Sequence, residues 1–546
     1  VLVPLFAQAG AGDCAELALK LTSHRTINDL RVMDIEMSFG YRDLRPLKSA
    51  PWLGGIAYLS LLALGAGCGR RPSDDRHEIE MLVPTEIVEL DPRYATRALD
   101  VKASRLVHAG LVDLDPETLL PRPRLAESLQ LVDNHSIVIQ LKPGVRFHSG
   151  RLLEAHDVCA TLAALKDPKL ASPHRTIVSA FSTCEELSPA RVALGLAYSR
   201  ATWMTDLEIP ILRSDQARLQ RGQVILDGLG PFSLAQQLDN ELHFVSASDS
   251  VMGRPKQDLV IRTVRDENAR VLRLLAGQAD ILVNAVSPML LPELNSYSNL
   301  SLTTRPGANV TYLLVQNDRE PFKEASMRRA ISLAIDRNSI VKNLLNGYAQ
   351  QAKWLLPESH WATPQGLQPL AFDPTAARSV LRKAGKVTLL TSPDRSRVII
   401  ARAIAQMLGD AGLEVQVLPL DLGLMLARLD AGDYSLAILQ IPELTEPNVL
   451  SWFFHPNGIP GEGHDGRNRA RYRNPRAAAL FDAAARSFDR ATRQSLYAEL
   501  AQLMLADMPV IPLWHEDQIA VAAARVHGFR PSAEGHWLSL ASTTTD

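Results

Sequence analysis

The chain lacks the patterns that usually announce an enzyme. Its 546 residues contain no GxxxxGK[ST] loop, no HExxH, no GxSxG and no CxxC pair. P-loop phosphate binding, zinc-protease chemistry, nucleophile-elbow hydrolysis and thioredoxin-like redox chemistry therefore have no sequence support. Charge of one sign is lacking too. Lys and Arg number 58 against 60 Asp and Glu, a net of -2, which argues against a nucleic-acid surface. Aromatics are only 5%, so a sugar-stacking cleft gets no special support. Repeats of solenoid or propeller length are missing, as are low-complexity tracts. What remains is an ordinary globular balance, 46% hydrophobic and 22% charged, in a length that suggests two to four domains.

Long apolar runs are scarce, and the exception lies near the amino end. Residues 49–69 carry no charge and follow Arg42, Arg45 and Lys48. A basic flank, an apolar run and small residues before a cysteine read as a secretion signal. The alternative is an uncleaved membrane helix, since about 20 apolar residues span a bilayer. Several glycines in the run and Cys68 at its end favour the signal. Gly65-Ala66-Gly67-Cys68 resembles a bacterial lipobox, which makes Cys68 the expected acylated first residue, with the usual Leu one place early at Leu64. Residues 1–36, with acidic residues and a cysteine, are expected to be a non-native extension upstream of a true start at Met37. That leaves 37–67 as the signal peptide and 68–78 as a polar tether.

The rest is organised around residues 312–347. Tyr312-Leu313-Leu314-Val315 reads as a strand and Pro321-Phe322 as a break. Met327, Ala330, Ile331, Ala334 and Ile335 then recur at helical spacing. Asp336 is placed to cap a second helix, with Ile340, Val341, Leu344 and Leu345 inward and Gly347 at its end.

Here the letters say more than the pattern. Asn317, Pro321-Phe322, Arg328-Arg329-Ala330, Ala334-Ile335-Asp336-Arg337 and Gly347 resemble a signature segment of extracytoplasmic solute-binding proteins of the peptide/nickel type, family 5. Met327 and Arg329 stand where Val and Gln are usual. Further segments follow in family order: Leu90-Asp91-Pro92, Leu125 to Ser128, IQLKPGVRFHSGRLLEAHD from Ile139, Asp227 to Phe232, Arg270 to Asp280, Trp354 to Pro357, Phe372-Asp373-Pro374, Tyr472 to Pro475, Tyr497 to Leu513 and Val526 to Phe529. The resemblance spans about residues 78 to 530. It implies an α/β, two-lobed periplasmic binding fold with hinge strands between lobes and an extra subdomain in the first. The expected limits are 79–282 for lobe I, with an inserted subdomain at about 115–245, then 283–515 for lobe II, and 516–546 returning to lobe I. Lobe II alternates strand and helix, which predicts a largely parallel sheet.

The resemblance also implies a function: a receptor of an ABC importer, holding a peptide or small solute in the cleft and delivering it to a permease and ATPase complex. A lipid-anchored extracytoplasmic monomer, with no cofactor and no turnover, is expected. In peptide-binding relatives a Trp and an Asp follow a lobe II strand, the Asp pairing with the ligand's α-ammonium. By alignment Gln440 stands at the Trp and Glu443 at the Asp; an exposed loop glutamate is the alternative for Glu443. Trp452 and Phe453 suit core or cleft wall, and Met407 suits core. The glycines around Leu229 suggest backbone angles closed to other residues. Cys159 and Cys184, in an exported protein, are expected to pair, the alternative being two buried thiols. His148 and His156 flank a turn without a third ligand at metal spacing, and His455, His464 and Asp465 border a Gly-rich loop that matches no closed metal site. A nickel chelate, another non-peptide solute, and a tethered sensor or chaperone without transport remain the alternatives.

Overall fold

The computed structural model describes residues 78–223, 226–382, 384–461 and 466–546. The expectations for the upstream extension, the signal and Cys68 fall outside the described residues, as do those for His464 and Asp465.

Strand Val310–Val315 is buried along its whole length. That explains a continuous apolar run in place of alternation. Its two faces feed separate cores. Val310, Tyr312 and Leu314 pack with helices Pro475–Arg486 and Arg490–Asp507. Leu313 and Val315 pack with helices Ala325–Ala334 and Arg395–Asp410. The second lobe is thus a six-stranded sheet between two helical layers, in the order Ala349–Gln351, Val510–Glu516, Val310–Val315, Leu436–Ile441, Lys386–Thr391, Glu414–Pro419.

This sheet is mixed, a correction to the largely parallel arrangement expected. Lys386–Thr391 runs parallel to both neighbours, but Val310–Val315 is antiparallel to both of its own. The reason is topological. Val310–Val315 brings the chain into the lobe and Val510–Glu516 takes it out, so adjacent strands must oppose.

Two buried arginines tie the organising segment to the chain around it. Arg328 donates to the carbonyls of Phe322, Lys323, Asp507 and Met508. Arg337 donates to those of Ser332 and Pro512. Each guanidinium satisfies carbonyls that helix ends and strand edges leave without partners. Asp336 caps its helix by accepting from Ser339 N at 2.9 Å, and that helix stops at Asn343, ahead of Gly347.

The first lobe holds a seven-stranded sheet, ordered Leu300–Arg305, Gln518–Ala523, Ile281–Val283, Glu78–Val83, Asp258–Thr263, Glu241–Ser246, Phe232–Leu238. Beside it lies a four-stranded antiparallel sheet of Ala126–Asp133, Ser136–Leu141, Arg191–Leu196 and Phe181–Ser188. Helix Ala155–Lys166 packs on this smaller sheet, and Cys159 on the helix is bridged to Cys184 on the edge strand, Cα to Cα 5.4 Å. The inserted unit therefore closes before Phe232, earlier than the expected 245, because the 232–246 hairpin pairs with Asp258–Thr263 in the main sheet.

The lobe boundary also moves. Leu300–Arg305 pairs with Gln518–Ala523 and so belongs to the first lobe. The chain crosses at residues 306–309, not at 282/283, and returns through Asp517 alone. Asn309 ties the crossings together: its Nδ2 donates to Glu516 O at 2.7 Å and its Oδ1 accepts from Glu516 N at 2.8 Å.

Candidate functional site

A cavity of about 620 Å³ opens between the lobes. Helix Ala98–Val107 and the turn Thr205–Glu208 wall it from the first lobe. The segment following strand Leu436–Ile441, with helix Val449–Phe454, walls it from the second. The volume is ordinary for a small-ligand site, about 300–1,000 Å³.

Most of the charged groups at the wall are already matched. Arg105 Nη1 donates to Glu208 Oε1 at 2.9 Å. Arg200 Nη2 donates to Asp206 Oδ1 at 3.1 Å. Arg493 pairs with Glu446. Burial raises the carboxyls of Asp206, Glu208 and Glu446, and in each case the arginine opposes that rise.

Glu443 differs. It lines the cavity and lies beside His536, whose Nε2 is 3.9 Å from Glu443 Oε2. Arg105 Nη1 lies 3.1 Å from His536 Nδ1. A guanidinium only donates, so Nδ1 accepts and the ring proton sits on Nε2, facing Glu443. Burial first, then Arg105 and Lys102, holds this imidazole well below its ordinary pKa, so it is neutral. Glu443 thus lies against a neutral ring, with the charges of Arg105 and Lys102 acting on it from farther off, where the other wall carboxylates bind a guanidinium directly. Behind it, Glu534 Oε1 lies 3.4 Å from His536 Nδ1, and burial pushes the Glu534 carboxyl up to about 7. Lys102 faces Glu443 and Glu534, its ammonium lowered by burial.

Of the residues singled out in the sequence, Glu443 and Trp452 meet in the cavity wall, together with Phe453 and His455. Gln440 is not on that wall. Arg397 Nη2 donates to its Oε1, and its Nε2 donates to Thr311 Oγ1, each at 3.4 Å. This network continues to Glu516 at the hinge, 3.1 Å from Arg397. Burial opposes ionisation of Glu516, but Arg397 and hydrogen bonds from Thr311 and Trp514 hold its pKa low.

His148 is a turn tie: its ring bonds Gly230 O at 3.0 Å and accepts from Gly228 N at 3.3 Å. His156 is exposed and pairs with Glu186. His455 Nδ1 accepts from Asn457 N at 3.1 Å. Among the described residues, no three His, Cys, Asp or Glu side chains gather as a metal set. Arg105, Arg200, Glu208, Glu534 and His536 carried no signal in sequence; they come from three distant segments that only the fold assembles.

Two lobes joined by two crossings around a cavity define a hinge-type binding protein. The family model described as bacterial extracellular solute-binding proteins, family 5 Middle, matches residues 121–461, and the chain belongs to that family. It is therefore a solute-binding receptor. The dipeptide-binding protein of Pseudomonas aeruginosa is 24% identical over 489 residues, covering 81% of this chain and 90% of that one. The glutathione-binding protein GsiB of Salmonella typhi is 25% identical over 497 residues, covering 86% and 95%. Among solved structures, NikZ of Campylobacter jejuni in complex with Ni(L-His) superposes with a TM-score of 0.75 at 20% identity, covering 86% of this chain and 100% of that one. The oligopeptide-binding protein AppA of Bacillus subtilis, holding a nonapeptide, gives 0.74 at 20% identity, covering 86% and 99%. Among the described residues, no helix is long and apolar enough to cross a membrane.

Proposed function

We propose that this receptor binds a short peptide between its lobes, without turnover, and presents it to the permease of an ABC-type importer. The observation that carries the peptide reading is Glu443: a cavity carboxylate that, among the described residues, has no guanidinium hydrogen-bonded to it and would pair with a ligand's ammonium. The names of the dipeptide-, oligopeptide- and glutathione-binding relatives support the same class. Main-chain hydrogen bonds would supply the remaining affinity. The uncharged run 49–69 and Cys68 support export and a lipid anchor.

Residues 69–546, expressed in the periplasm and purified without denaturation, are expected to carry short peptides, seen as excess mass in native mass spectrometry. Removal of one charged hydrogen-bonding partner costs about 1.5–3 kcal/mol. Glu443→Gln should therefore weaken peptide binding by roughly tenfold or more in calorimetry. Unchanged affinity in a folded Glu443→Gln variant would remove the amino-end contact; a single non-peptide mass in the native protein would reject the ligand class.

A further inference from the structure

We infer that the first lobe carries a carboxylate-binding site beside the cavity, formed by Arg124, Lys102 and His536, and that it takes an acid group of the ligand. The inference goes beyond the peptide reading, since a carboxylate on any ligand would fill the site.

Arg124 is the starting point. It is 5% exposed, and its Nε and Nη2 are buried without a hydrogen-bond partner. Those two atoms form one edge of the guanidinium, the fork that grips a carboxylate through two parallel bonds. Elsewhere in this lobe the same edge is filled. Arg122 Nε and Nη2 donate to the two oxygens of Asp113 at 2.8 and 3.3 Å, and Arg93 Nε and Nη2 to those of Asp91 at 3.0 and 2.6 Å. The carboxylates that act on Arg124 are Asp113 and Glu208, and they are hydrogen-bonded to Arg122 and Arg105 instead. A buried donor without an acceptor keeps its full desolvation cost, and burial lowers the Arg124 guanidinium to about 10.

More unanswered donors gather beside it. His536 is 4% exposed, and its Nε2, which carries the ring proton, has no hydrogen-bond partner; Glu443 Oε2, at 3.9 Å, is beyond reach. Lys102 makes no ion pair among the described residues. Its Nζ lies against Gly535, where a Cβ would be 2.9 Å away. Arg105, Lys102 and Arg124 all act on the His536 ring, so the three cations surround it. Of the carboxyls among them, Glu208 is held by Arg105, and Glu534 keeps its proton below about pH 7.

The chemistry that answers this arrangement is a carboxylate. It brings two oxygens with about four lone-pair sites to a guanidinium fork, an ammonium and an imidazole N–H, together with the negative charge that a water molecule lacks. The site adjoins the cavity: the His536 ring touches Arg105 through Nδ1 and faces Glu443 through Nε2, and both of those residues line the cavity.

The test uses the dialysed receptor and its Arg124→Gln and Lys102→Gln variants at about pH 6, where Glu534 is protonated. Calorimetry compares Ala-Ala-Ala with its carboxyl-terminal amide, and sodium acetate at constant ionic strength probes the site alone through Tm. The parent is expected to bind the acid roughly tenfold or more tightly than the amide. In Arg124→Gln that difference should vanish through loss of acid affinity, with amide affinity unchanged. Acetate should raise Tm in the parent and in neither variant. Should Arg124→Gln not fold, Lys102→Gln carries both comparisons. Acid and amide binding the parent equally, or a difference that survives substitution, overturns the inference and leaves the peptide reading standing; an acetate effect confined to the parent would then give the site to a free anion. If neither peptide binds, the peptide reading falls and acetate decides: a Tm rise absent from the parent, or equal in all three proteins, overturns the site.

Discussion

Glu534 is 4% exposed, and its Oε2 has no hydrogen-bond partner. Burial pushes its carboxyl from 4.5 up to about 7. Between these values the folded state holds a proton that the unfolded state has released. Its contribution to stability is therefore complete below pH 4.5 and is lost as pH rises through about 7. A shift of this size amounts to about 3 kcal/mol at most. Glu534→Gln should leave Tm unchanged at pH 4.5 and raise it by a few degrees at pH 8; an equal shift at both pH values would contradict the assignment. The disulfide between Cys159 and Cys184 acts at the same scale by a different route. It closes a sequence separation of 25 residues, a loop worth about 3 kcal/mol in unfolded-chain entropy. Replacing both cysteines by Ser should lower the denaturation midpoint accordingly. The same loss should appear in the parent protein on reduction, and not in the double variant.

At the scale of elements, the turn Asp227 to Phe232 shows what sequence conveys and what it hides. Its glycines are legible, and their reason is not. Neither Gly228 nor Gly230 adopts a positive φ. Instead the turn lies against the end of helix Ala98–Val107, where Gly230 N donates to Val107 O at 2.8 Å. A Cβ on Gly228 would sit 1.9 Å from Val107 O, and one on Gly230 2.3 Å from Leu106 O. Gly228→Ala should cost about 3 kcal/mol or more in urea unfolding, the upper end for overpacking; a loss below about 1 kcal/mol would show that the turn can move away. Local signals were legible throughout for the same reason that Asp336, Asp373 and Asp489 cap helices: each cap acts within three residues, through Ser339, Ala376 and Thr492. The hinge was not legible, because nothing in Pro306-Gly307-Ala308-Asn309 distinguishes a crossing from a turn. Sheet pairing decides it, and Leu300–Arg305 finds its partner more than 200 residues later. The candidate site divides along the same line. Glu443 sits on a segment that could be aligned, with Trp452 a little further along it, whereas His536 and Arg105, separated by 431 residues, meet only in the folded chain.

For the whole molecule the decisive feature is the shortness of the two connections. One spans residues 306–309 and the other is Asp517. Two short, parallel connections permit rotation about one axis and resist translation, which is the geometry of hinge closure. Asn309 locks them side by side through both polar groups of Glu516, and Glu516 is held in turn by Arg397, Thr311 and Trp514. Gly307 is part of this lock, since a Cβ there would lie 2.2 Å from Glu516 O. Ligand contacts drawn from both lobes exist only when the lobes approach, so binding shifts the population toward the closed form by its differential affinity for the two. The radius of gyration measured by small-angle X-ray scattering should therefore fall when a saturating peptide is added. Asn309→Ala would leave the N–H and carbonyl of Glu516 without their partners, at about 1–3 kcal/mol, and would uncouple the two connections. The unliganded variant should then scatter as a broader, more extended population than the parent. The liganded variant should return to the parent's closed curve, because contacts across the cavity replace the lost lock. Peptide affinity should weaken in proportion to the fraction no longer able to close. Identical scattering for parent and variant without ligand would place the control of closure elsewhere than in the Asn309 tie.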